Sequence, residues 1–223
     1  MDRLKNIFSD REFWFILFFN GFLAWGYFTG YFSMDTLVWI YFLQSVMLGI
    51  GNVVRMACLK SFSTKNFQVN GQSVEPTAKT KGFSAAFFAL HYGFFHFVYF
   101  IFLVVGSINN GSKLDFRMVL INLLAIVGNT IFSTWSNVLQ DREDQPSIAA
   151  MFFTPYLRVV PMHIFIIVGF VFKTDVKFLG FHFSPIHSFW LFLILKSLSD
   201  LLMHIIVQKS WRGKRIKPVE GYI

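Results

Sequence analysis

Three apolar stretches of this chain contain ionisable side chains, and those side chains are where chemistry would concentrate. The first holds His91, Tyr92 and His96, the second Arg158 and His163, and the third Lys196, Asp200 and His204. A charged group at the centre of a bilayer costs at least about 2.5 to 3.5 kcal/mol on insertion scales, so such residues face a bundle interior and mark relays, pathways or ligand sites. Residues 196, 200 and 204 are spaced i, i+4, i+8 and stack on one face of a helix otherwise built from Leu, Ile and Phe. The plain reading of Lys196 and Asp200 is an internal salt bridge that makes a charged pair tolerable in lipid. That reading leaves His204, one turn further on, without a role.

Depth groups the candidates. Counted from the cytoplasmic helix ends at about 1.5 Å per residue, His91 lies roughly 12 Å in, His163 roughly 10 Å, Asp200 roughly 12 Å and His204 roughly 6 Å. Three imidazoles and a carboxylate in one layer would suit a divalent metal such as Zn²⁺, with an open position for a water made acidic by the ion. Arg158, near the headgroups, would then hold the phosphate or carboxylate of a lipid-like substrate. His96 is about 7 Å deeper than His91 and rotated from it by about 140°, so it aligns with Tyr92 instead of sharing an ion with His91. Other readings stay open. Lys196, Asp200 and His204 would serve a transporter as a proton or small-ion relay, with Tyr92 and His96 facing them. Histidines on facing helices would hold a haem, although Asp200 then has no role. A non-enzymatic membrane subunit would use the polar layer only to specify packing, and a single histidine in a span is most simply a hydrogen-bonded packing residue.

Two lesser features stand beside these. Gln44 and Asn52, at i and i+8, present amides on roughly one helical face, as helix-joining residues do. Pro161 has no N–H for the Leu157 carbonyl, which would kink its helix and free an acceptor near Arg158.

The elements that must position these groups are membrane helices. Of 223 residues 55% are hydrophobic and only 14% charged, against about 25% charged in soluble domains, so the chain has too little polar surface to cover a globule. Cys58 is the single cysteine, which excludes an intrachain disulfide and a thiolate metal cluster. The net charge of +8 lies between the apolar runs and makes no helix-long stripe, so it points to membrane topology and not to nucleic acid. Segments of about 20 apolar residues, enough for a hydrocarbon core of about 30 Å, fall at 12–32, 35–59, 83–106, 116–139, 156–173 and 188–208. The fold class expected is therefore all-α, a single-domain polytopic transmembrane bundle of six spans. The first run is long and interrupted by Asn20, and reads as a retained span. The fifth, with Pro155 and Pro161 at its start, is just long enough to cross and admits a kinked or re-entrant form.

With the N-terminus inside, fifteen Lys and Arg fall on the side of the two termini, four on the other side, and Lys196 within a span. This asymmetry places both termini in the cytoplasm. The 60–82 connection is polar and reads as a mobile cytoplasmic loop, and 209–223 as a basic tail.

Four strings then look familiar together. They are Tyr41 to Ser45 running on to Gly51 to Met56, His91 to His96, Pro155 to His163, and Leu195 to Asp200 with His204. In this order they resemble a family of small prokaryotic multi-span membrane proteins of unknown function, which implies an integral protein of the inner membrane and no established activity. A Glu-Asn pair usually stands in that family where this chain has Gln44 and Ser45. Glutamine cannot transfer a proton at neutral pH, so a mechanism needing a carboxylate there is in doubt for this chain.

Overall fold

The computed structural model describes residues 11–109, 114–142, 145–172 and 185–212. Helix α1 spans Arg11–Phe28, α2 Met34–Cys58, α3 Ala78–Asn109, α4 Phe116–Asp141, α5 Ile148–Phe153, α6 Tyr156–Phe172 and α7 Pro185–Arg212. A small antiparallel hairpin, β1 (Gln68–Val69) with β2 (Gln72–Ser73), lies between α2 and α3. Each of the six expected apolar segments falls on its own helix. Three helices, α2, α3 and α4, are long and apolar enough to cross a membrane. The 32 residues of α3 reach about 48 Å at 1.5 Å per residue, more than a hydrocarbon core needs. The expected start at 83 marks where the apolar run begins, whereas the helix itself begins at Ala78 and includes Lys79 and Lys81.

Local chemistry sets the helix ends. Ser33 caps α2 by accepting from the Thr36 N–H at 3.1 Å, with Asp35 in the first turn where a negative charge complements the helix dipole. Asp115 caps α4 through the N–H groups of Arg117 and Met118, and Ser147 caps α5 through Ala150. After α1 the chain turns back at Gly30, whose φ of +77° suits glycine, and the Phe32 N–H returns to the Gly26 carbonyl.

α2 is the central helix, packed chiefly against α4 and α3, while α7 packs against α6 and α1. Two glycines bring the neighbours close. A Cβ on Gly49 would lie 2.4 Å from the Tyr92 ring of α3, and one on Gly51 would lie 2.6 Å from the Thr134 hydroxyl of α4. On the other side of the bundle Tyr27 stacks on Phe189 with centroids 3.9 Å apart, which seats α1 on α7. Large apolar side chains on α3 and α4, among them Leu90, Phe94, Ile108, Phe116 and Phe132, remain exposed, as lipid-facing surface does.

The 60–82 connection is anchored at several points despite its polar composition. Phe62 and Phe67 are buried, Ser63 exchanges backbone hydrogen bonds with Pro146 and Ile148, and the Lys81 ammonium donates to the Leu59 carbonyl at 2.9 Å. These contacts hold it against α5, a short helix the spacing of apolar residues did not predict. Six residues starting from a serine cap are too few to stand out from a connection, although Ile148, Ala149, Met151 and Phe152 are all buried. The tail beyond 212 and the residues before 11 lie outside the described residues.

Candidate functional site

Arg158 of α6 and Lys196 and Asp200 of α7 meet in one largely buried network. Asp200 accepts from the Arg158 guanidinium at 2.9 Å through Oδ1 and from the Lys196 ammonium at 2.7 Å through Oδ2. Lys196 also donates to Oδ1 of Asn20 on α1 at 2.9 Å. Tyr41 of α2, almost fully buried, places its ring 5.9 Å from both cations, and its hydroxyl donates to the Arg158 carbonyl at 3.3 Å. The expected Lys196 to Asp200 salt bridge is present, then, with Arg158 as a second cation on the same carboxylate. The residues flanking Arg158 explain how α6 seats there. Pro161 lies inside α6 and leaves the Leu157 carbonyl without its helical donor, and Ser199 of α7 supplies one at 2.8 Å.

Beside this network, α2, α4, α5, the start of α6 and Met203 of α7 line an open cavity of about 240 Å³. Its wall is polar for a site among apolar helices. α2 contributes Gln44, Asn52 and Arg55, and α4 contributes Asn129, Thr130, Ser133, Thr134 and Asn137. Arg158 lines it from α6. Asn52 is spoken for, since its amide donates to the Met151 carbonyl at 2.8 Å and fixes α5 to α2. Arg55 pairs with Asp141 through two nitrogens at 3.2 and 3.3 Å. Gln44, Asn129 and Asn137 make no hydrogen bond from their side chains to any described residue, and the buried Nε of Arg158 also lacks a partner among them.

Tyr92 and His96 do not line this cavity and form a second network with Ser45. The His96 Nδ1 faces the Tyr92 carbonyl at 2.8 Å, so it carries the proton there. Nε2 then accepts from the Ser45 hydroxyl at 2.9 Å, and the Tyr92 hydroxyl donates to Ser45 Oγ at 2.8 Å or to its carbonyl at 3.0 Å. Every ring nitrogen and hydroxyl of this set is satisfied and buried, and it joins α2 to α3.

Of the four residues expected to share a metal, the three whose side chains are described, His91, His163 and Asp200, are not brought together. His91 is exposed and its Nδ1 meets the Tyr156 hydroxyl at 2.8 Å, while His163, also exposed, meets the Tyr99 hydroxyl at 3.3 Å. Asp200 has both oxygens on cations, and the side chain of His204 lies outside the described residues. Among the described residues no three His, Cys, Asp or Glu side chains converge as a metal site. Helical depth predicted a shared layer; the rotation of each helix, which depth does not contain, turns the imidazoles of His91 and His163 toward separate tyrosines.

The polar face of α4 is the part of the site that sequence reasoning missed. Its signal was present: Asn129, Thr130, Ser133, Thr134 and Asn137 recur at three- and four-residue intervals through an apolar run. None is ionisable, so a search for charges in spans passes over them. A sequence family matches the chain over residues 3–217. The chain belongs to DUF6498, a family of unknown function. The DUF6498 match runs over all seven described helices, and no curated protein or solved structure matches the chain.

Proposed function

We propose that this chain is an integral membrane protein of six spans with both termini in the cytoplasm, in the inner membrane of a prokaryotic cell, and that it carries a polar molecule through a hydrated cavity between α2 and α4. The positive-inside asymmetry and the six helix-forming apolar segments support the topology. The observation that carries the function is the set of unpartnered amides, Gln44, Asn129 and Asn137, on the wall of one cavity. Amides without partners are costly in hydrocarbon, and at membrane depth they are tolerated where they meet water or a ligand. The described wall holds amides, hydroxyls and two arginines, groups that bind and orient. That composition favours movement of a substrate over its hydrolysis.

The reading is tested by placing a thiol in the cavity. In a Cys58→Ser background, with the exposed native thiol removed, Ser133→Cys in proteoliposomes is expected to react with a water-soluble, membrane-impermeant thiol reagent. A control thiol at Phe132, on the exposed apolar side of α4, is expected to stay unmodified. If both positions are inert, the cavity does not admit water and the reading fails.

A further inference from the structure

Resting on that hydrated cavity, we infer that its ligand is an anion of phosphate or carboxylate chemistry, bound by Arg158 together with the side-chain amides of Gln44 and Asn129. Both charged residues on the described wall are arginines, Arg55 and Arg158. The two carboxylates nearby, Asp141 and Asp200, do not line it and are each held by one of those arginines. Asp200 occupies one side of the Arg158 guanidinium, at Nη2, and shares its own charge with Lys196. A buried N–H at Nε is left without a partner on a residue that lines the cavity. A guanidinium presents donors in a planar fork whose geometry matches the paired oxygens of phosphate and carboxylate. The unpartnered amides add donors of the kind that hold the remaining oxygens, and amides without a net charge leave the preference to the arginines.

The cavity's shape is consistent with such a ligand. Its wall runs from Gln44 to Arg55 on α2 and from Ile126 to Asn137 on α4, about 16 Å along each helix at 1.5 Å per residue. Arg158 and Arg55 both belong to helix ends that the charge asymmetry places toward the cytoplasm, where anionic headgroups and free anions are both at hand. The two sources share one chemistry, and experiment separates them.

The experiment uses the full chain carrying Cys58→Ser and Ser133→Cys in nanodiscs of phosphatidylcholine, and reads the rate of thiol modification. Inorganic phosphate or succinate is added in one arm, and phosphatidylglycerol replaces part of the lipid in the other. Slowing of modification by at least about fivefold in the first arm assigns a soluble anion, and in the second arm a lipid headgroup. In either case the slowing should be lost in Arg158→Gln and reduced in Asn129→Leu, which leaves the ion-paired network intact and covers the case in which Arg158→Gln does not fold. Ready modification that no anion slows overturns the anion assignment while leaving the hydrated cavity standing. Absence of modification in every arm overturns both. Equal protection in wild type and in a folded Arg158→Gln protein removes Arg158 from the site.

Discussion

Asp200 shows how much hangs on one carboxylate in this molecule. It lies between Arg158 and Lys196 with 9% of its side chain exposed, so removing it takes the shared anion from two neighbouring cations. Breaking a buried pair in this way destabilises by about 3–5 kcal/mol. Asp200→Ala should therefore unfold at a markedly lower temperature in detergent. Lys196→Met should lose less, because the Arg158 to Asp200 pair survives and one buried cation is gone. Equal stability of Asp200→Ala and wild type would mean the network contributes nothing to folding. The sequence made this pair legible, since Lys196 and Asp200 are one turn apart on a single helix. Asn20 was visible only as an interruption of the first span. Its pairing with Lys196 depends on how two helices far apart in sequence come to neighbour each other, and periodicity within one helix contains no such information.

At the scale of elements, the break in α6 and the face of α7 are matched. Pro161 deprives the Leu157 carbonyl of a donor and Ser199 replaces it. Ser199→Ala should cost about 1–3 kcal/mol, the penalty for a buried acceptor left unpaired. The loss should shrink in a Pro161→Ala background, where the helix regains its own N–H for that carbonyl. A double-mutant cycle read by thermal unfolding checks this, and additive effects would show that the two residues act independently. The freed carbonyl was legible from Pro161 alone; the residue that answers it was not. The same limit applies to the imidazoles. Helical depth put His91 and His163 in one layer, yet each helix turns its histidine to a neighbouring tyrosine, Tyr156 or Tyr99. The short α5 escaped for a different reason, because six apolar residues have no period long enough to read.

For the whole molecule, the charge asymmetry makes the six-span topology testable without any ligand. In the Cys58→Ser background a thiol at Ser73, in the exposed hairpin, should react with an impermeant reagent only after intact cells are opened. One at Ser112, in the connection between α3 and α4, should react in intact cells. Labelling of both positions from the same side would remove at least one crossing from the first four helices. Fold class and helix positions could be read from the sequence because hydrophobic length and charge sidedness are local properties. The cavity could not, because it is made by the mutual approach of α2 and α4, which depends on Gly51 meeting Thr134 at a distance that only glycine allows.

The pairing of Lys196 with Asn20 spans 176 positions of chain and sets an order of events during biosynthesis. α1 leaves the ribosome long before α7, so the amide of Asn20 is made long before the Lys196 ammonium that donates to it. Lys196 and Asp200 in turn emerge as a charged stretch whose partners Asn20 and Arg158 precede them in the chain. The nascent protein therefore has an unfinished polar seam through most of its synthesis, and an interrupted chain keeps it. Such a seam distinguishes finished molecules from nascent chains and fragments, and a protease that senses unpaired polar groups would find it only in the latter two.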